Sequence, residues 1–231
     1  MRHIHETLHR ARPAFRDRRE AGVALADYLE QEGASPGMVM AVPAGGVAVA
    51  CPVAQHFRVP LDVVLVRKLP YPFAPESGFG AVSLAGQMVM DEAAAARAGL
   101  SRQRIEGVKE HVLEGLRARA QRFRDVRSTA DPEGMDVLLV DDGLATGSTM
   151  LAAVSEVRRR GAAVVSVAVP DAPEDTVERV EPAVDRLYCL FVQTGKPFAV
   201  ASFYRRWRDL SDREAVELLR SALEQADGDS P

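Results

Sequence analysis

Almost wholly apolar runs alternate along this chain with longer stretches in which apolar side chains recur at every third or fourth position. The runs lie at 38–42, 61–66, 137–140, 164–169 and 184–192. They lack the apolar–polar alternation of a half-exposed strand, which is the pattern of parallel strands buried on both faces. Between them, Phe15, Ala21, Leu25, Tyr28 and Leu29 recur at helical steps over 15–30, and a small-residue helix is predicted over 47–56. Ser101 is a good N-cap for a long helix over 102–126, whose stripe is Ile105, Val108, Val112, Leu116 and Phe123. Met150, Leu151, Val154 and Val157 predict a helix from near Ser148 that is closed by Gly161. A short helix opens at 173–175, and an amphipathic one covers 212–223. Two short strands, 79–84 and 87–90, read as a hairpin turning at Gly86. This alternation predicts an α/β fold with a doubly wound, mainly parallel sheet.

The remaining segments lack such periods. Residues 1–14 are polar and basic, with His3, His5 and His9, and read as a frayed, disordered tail. Residues 69–80 carry Pro70, Pro72 and Pro75 and read as a long flexible loop. Residues 128–134 read as a polar linker, and the Asp-Gly-Asp-Ser-Pro end as disordered. The expected organisation is one domain over 15–225, with a small hood made mainly from 193–225 and part of the N-terminal region. The stripe on 102–126 reads as core or as the surface of a homodimer.

Composition narrows the classes. A length of 231 residues suits one domain, and 47% apolar residues suffice for a full core. A net charge of −4 speaks against a nucleic-acid surface. Cys51 and Cys189 have no metal-binding spacing and read as buried thiols. No run is long enough to span a membrane, and no apolar signal segment opens the chain, so a cytoplasmic protein is expected.

The candidate chemistry concentrates at 137–149. A buried strand ends in Asp141 and Asp142, then the loop Gly143-Leu144-Ala145-Thr146-Gly147-Ser148-Thr149 leads into a helix. Ligands of open α/β sheets bind at the carboxyl ends of strands. A hydroxyl-rich loop at a helix N-terminus offers amides, hydroxyls and the positive end of the helix dipole to a phosphate. The paired carboxylates suit sugar hydroxyls or Mg²⁺, a hard cation that prefers oxygen. Together they describe a pocket for a ribose 5-phosphate. A Walker A loop and a Rossmann fingerprint are both absent. A second strand–loop–helix, at 38–56, places Ala44-Gly45-Gly46 where backbone can approach an anion. Arg67 and Lys68 close the 61–66 run and suit a pyrophosphate.

The 137–149 stretch resembles the PRPP-binding motif of type I phosphoribosyltransferases, PRPP being 5-phosphoribosyl 1-pyrophosphate. The resemblance implies that Ala145, Thr146, Gly147, Ser148 and Thr149 hold the 5-phosphate. It implies that Asp141 and Asp142 are the catalytic acids on the ribose hydroxyls, directly or through Mg²⁺ and partly through water. Ala44, Gly45, Gly46, Arg67 and Lys68 fall where the family holds pyrophosphate, although a basic residue often stands where this chain has Ala44. Residues 69–80 fall where the family closes a loop over PRPP, with Glu76 a candidate contact. The hood would hold the acceptor, and Phe198, Phe203 and Tyr204 could stack a planar base. Ala145 replaces the acid usual in 6-oxopurine enzymes, which argues against a hypoxanthine or guanine acceptor. Phe-Arg-Asp-Arg-Arg at 15–19 and Val-Arg-Lys at 66–68 are similar to a group of bacterial phosphoribosyltransferases of undefined acceptor. The implied activity is Mg²⁺-assisted transfer of ribose 5-phosphate from PRPP to a base-like acceptor, with small-molecule partners and no membrane. The alternatives are a non-catalytic PRPP or nucleotide sensor and a hydrolase of a phosphoribosyl compound.

Overall fold

A computed structural model describes residues 1–10, 12–126 and 131–228; the side chains at 75, 76 and 226–228 lie outside that description. Along the chain come β1 (Arg2–Leu8), α1 (Arg18–Gln31), β2 (Met38–Ala41), α2 (Gly45–Phe57), β3 (Leu61–Val63), β4 (Val66–Tyr71), β5 (Ala74–Ser83), β6 (Met88–Met90) and α3 (Glu92–Arg97). There follow α4 (Arg102–Phe123), β7 (Asp136–Val140), α5 (Ser148–Arg159), β8 (Val164–Pro173), α6 (Glu174–Val180), β9 (Arg186–Gln193) and α7 (Asp212–Gly228). A six-stranded sheet runs in the order β1-β9-β8-β7-β2-β3, with every neighbouring pair parallel. One of its faces packs Val39, Leu138 and Ala168 against α1 and α2, and the other packs Met40, Leu139 and Val167 against α5. Burial on both faces explains the unbroken apolar runs. Strand order reverses between β2 and β7, which is the switch point where such sheets bind ligands.

Four expectations change. Residues 2–8 are not a frayed tail: β1 adds to the sheet edge, pairing from Arg2 with Leu187 to Leu8 with Gln193. The His3 ring stacks on Tyr188 at 4.7 Å, and its Nδ1 lies 2.5 Å from Glu32 Oε2. An edge strand keeps a side facing water, so its polar composition hid it. The 61–66 run is not one strand, because β3 ends at Val63 and β4 begins at Val66 in a second, antiparallel sheet β4-β5-β6. Arg67 and Lys68 therefore sit within β4 rather than at a strand terminus. Residues 69–80 are not an irregular loop either. They form most of the β4–β5 hairpin, with register shifts around Pro70 that accommodate the prolines. Of the proposed 128–134 linker, residues 128–130 lie outside the described residues, as do 229–231 of the C-terminal end.

The long α4 has a clear structural role. Val112 and Leu113 enter a cluster with Leu69, Phe79, Val82 and Ala95 under the hairpin, while Leu116 and Phe123 enter the main core. Arg119 and Arg122 both reach Asp212 at the start of α7, at 2.7 and 2.8 Å. The helix thus braces the small sheet against the main domain. Among the described residues, no helix is long and apolar enough to cross a membrane.

Candidate functional site

At the switch point the chain leaves β7 through Asp141 and Asp142 and turns at residues 143–147 into α5. Gly147 takes the left-handed conformation, with φ 75°, and a side chain there would meet Val180 Cγ2 at 2.8 Å. Thr176 Oγ1 donates to the Ala145 carbonyl at 2.7 Å and Arg179 donates to the Thr146 carbonyl at 2.9 Å. These bonds hold the loop by its carbonyls from outside, while the first amides of α5, which have no intrahelical partner, remain at its open end. Residues 141–149 and Met150 line an open cavity of about 820 Å³.

Ala44 and Gly45 also line that cavity, after a cis Pro43–Ala44 peptide. The two glycines have a reason beyond anion approach. A Cβ on Gly45 would lie 2.0 Å from Asp142 Oδ2, and one on Gly46 would lie 2.8 Å from the Val140 carbonyl. They let α2 start directly under the acidic pair. Lys68 lines the cavity as well, its stem crossing Gly78, where a Cβ would meet Lys68 Cγ at 2.5 Å.

Arg67 does not join it. Successive residues of β4 point to opposite faces, and Arg67 turns toward α4, where a Cβ on Gly115 would sit 3.3 Å from its Nη1. Phe203 and Tyr204 are core, not an exposed stacking surface: they are 0% and 4% exposed. Phe203 packs against Phe191 and Phe198, and the Tyr204 hydroxyl donates to the Asp142 carbonyl at 2.7 Å. Phe198 is half-buried against the same core. The Glu76 side chain lies outside the described residues.

The acids are not free carboxylates awaiting a sugar. Arg18 Nε donates to Asp142 Oδ2 at 2.6 Å, between side chains only 9% and 16% exposed. Asp141 Oδ1 accepts the Asp142 amide at 2.8 Å. Burial pushes the Asp141 carboxyl well above its ordinary range, and the neighbouring Asp142 charge pushes the same way. Among the described residues no three His, Cys, Asp or Glu side chains are grouped to enclose a metal. The oxygens left over, one on each acid, fit Mg²⁺ in its usual manner, as one or two carboxylates with the other positions taken by water and phosphate.

Four residues at or under the cavity carry no sequence signal for their roles: Arg18, Trp207, Arg119 and Asp171. The first three line it. Asp171, on β8, is fully buried, and among the described residues neither carboxyl oxygen has a hydrogen-bond partner. Its Oδ1 would lie 2.7 Å from a Cβ on Gly143. Burial raises its pKa well above the ordinary value, and the charges of Asp142 and Asp141 add to the effect. A carboxyl raised on folding is neutral without penalty below about pH 3.9 and destabilises the native state progressively as pH rises from there through its raised value. Asp171→Asn should therefore melt higher than the parent at pH 8 and close to it at pH 4. A melting difference independent of pH would remove this account.

Fold and cavity together define a type I phosphoribosyltransferase architecture. The chain belongs to the family described as phosphoribosyl transferase domain, which it matches over residues 17–193. It is 39% identical over 208 residues to proteins of two Mycobacterium tuberculosis strains named "Putative phosphoribosyl transferase", covering 90% of this chain and 47% of theirs. The chain thus spans about half the length of the curated relatives it matches. The crystal structure of TT1426 from Thermus thermophilus is also 39% identical, with a TM-score of 0.75 over 90% of this chain and 98% of that one.

Proposed function

We propose that the chain transfers ribose 5-phosphate from PRPP to a nitrogenous, base-like acceptor and releases pyrophosphate, assisted by Mg²⁺. The observation that carries this reading is the single cavity in which the hydroxyl-rich turn 146–149 adjoins Asp141 and Asp142. Thr146, Gly147, Ser148 and Thr149 hold the 5-phosphate by amides, hydroxyls and the helix dipole. The oxygens of Asp141 and Asp142 not already committed face the ribose hydroxyls, and the negative charge of the Asp142 carboxylate stabilises the cationic ribosyl centre as the bond to pyrophosphate breaks. Ala44 and Gly45 offer backbone donors to pyrophosphate, with Lys68 as the side-chain cation on that wall. Mg²⁺, held by Asp141 and Asp142 partly through water, would supply charge neutralisation to the pyrophosphate oxygens. The protein contributes position and charge, with no covalent nucleophile.

One observation favours the sensor alternative: with Ala44 neutral and Arg67 turned to α4, the pyrophosphate wall has a thinner set of cations than the sequence suggests. Incubating the protein with PRPP, Mg²⁺ and a panel of bases separates the readings. Nucleotide formed only with a base is the expected result. Pyrophosphate released without a base would indicate a hydrolase, and binding without turnover would indicate a sensor.

A further inference from the structure

Arg18, the first residue of α1, touches two residues that line the cavity, Asp142 and Trp207. Its Nε donates to Asp142 Oδ2 at 2.6 Å. Its Nη1 donates to the Arg208 carbonyl at 2.8 Å, and the guanidinium carbon lies 3.9 Å from the centroid of the Trp207 ring. Trp207 lines the cavity, together with Asp209 and Leu210. Tyr204 to Arg206 are fastened to the core independently, through the Arg205 and Arg206 amides to the Phe15 and Arg16 carbonyls. Beyond them, Arg18 holds the backbone of 207–210 at the Arg208 carbonyl, while the Arg208 side chain pairs with Glu214 on α7 at 2.5 Å and the Trp207 ring lies 5.3 Å from that of Tyr204. The planar fork allows this: one edge meets a carboxylate, another a carbonyl, and the face lies on an indole.

We propose that Arg18 is a positioning residue that couples the two halves of the cavity, so that a pentose drawing on Asp142 resets Arg18 and with it the Trp207 wall. The coupling rests on assigning the acidic pair to the pentose. A sugar hydroxyl or cation taken by the uncommitted oxygen of Asp142 draws charge from the same carboxylate, and so weakens the bond that Oδ2 makes to Arg18. Arg18 then shifts, and the ring stacked on it shifts with it. Linkage makes this reciprocal: whatever factor a filled pentose site contributes to affinity at the Trp207 side, a ligand there returns to PRPP.

Trp207 is the only tryptophan in the sequence, so the emission of the full chain reports on this ring. PRPP with Mg²⁺ should change the emission of the parent protein, over the same concentration range in which calorimetry detects binding. Arg18→Lys keeps a point charge for Asp142 but loses the fork. It should bind PRPP within about threefold of the parent and lose most of the emission change. Arg18→Gln, which removes the charge, should lose the response too and serves if the lysine variant does not fold. Calorimetric binding with flat emission in the parent overturns the coupling while leaving the pentose assignment intact. An emission change retained in both folded variants also overturns it, since PRPP would then be acting on Trp207 directly. Absence of PRPP binding overturns the assignment and the coupling together.

Discussion

Asp142→Asn should lower PRPP-dependent turnover more than tenfold while the fold survives. The carboxylate sits at the end of β7, beside Gly45 and on the wall of the cavity that residues 143–149 also line. A full charge about 4 Å from a developing ribosyl cation is worth roughly 4 kcal/mol at an effective dielectric constant near 20. Arg18 neutralises part of that, since its Nε lies 2.6 Å from Oδ2. Even a third of the interaction, about 1.4 kcal/mol, is a factor of ten in rate. Asparagine keeps the shape and one oxygen for Arg18, and Arg18 keeps the Arg208 carbonyl and the Trp207 face. The Tyr204 bond goes to the Asp142 backbone and is untouched. The loss should therefore appear in kcat rather than in melting temperature. A kcat/KM close to the parent's, in a variant that melts normally, would mean that Asp142 faces no cationic centre and acts mainly as the anchor for Arg18.

The sequence disclosed the parts of this site that are local and concealed those that are not. The apolar run, the two acids, the small-residue turn and α5 follow one another within 136–159, so their geometry is set by neighbours in the chain and can be read there. The Gly45-Gly46 turn is local in the same way, although its glycines turn out to make room for Asp142 and the β7 end as well as for an anion. Arg18 meets Asp142 across 124 residues, and nothing about one of the three arginines in Phe-Arg-Asp-Arg-Arg states which distant carboxylate it will find. Trp207 stands between Arg206 and Arg208, where no apolar period announces a buried or lining ring. Arg67 and Lys68 show a subtler failure. Their charge was legible, but a strand separates adjacent residues to opposite faces, and only the pairing of β4 with β5 tells which of the two meets the cavity. The prolines of 70–75 suggested a loop because proline cannot donate to a ladder, yet an antiparallel pair absorbs them at register shifts. Phe198, Phe203 and Tyr204 read as an acceptor wall because aromatic rings look alike in a sequence, whether they line a pocket or fill a core.

That last distinction has a measurable consequence. Phe203→Ala should cost about 3–5 kcal/mol of stability, the usual loss for a large aromatic removed from a packed core. For a chain of this size, each kcal/mol moves the melting temperature by about 2–4 °C, so a fall of roughly 6–20 °C is expected. The ring is fully buried, with Phe191 and Phe198 at centroid distances of 6.1 and 6.0 Å. Its backbone carbonyl takes the Ala14 and Phe15 amides at 2.9 and 3.0 Å, so the residue also fixes the entry to α1 and hence Arg18. Phe198→Ala, at a half-buried position, should cost less. Acceptor-side kinetics in Phe203→Ala should worsen only as far as the folded fraction does, because the ring has no face toward the cavity. If the variant instead melted within about 2 °C of the parent and lost acceptor affinity alone, Phe203 would have to reach the ligand, and the packing described here around α1 and the 200–203 turn would be wrong.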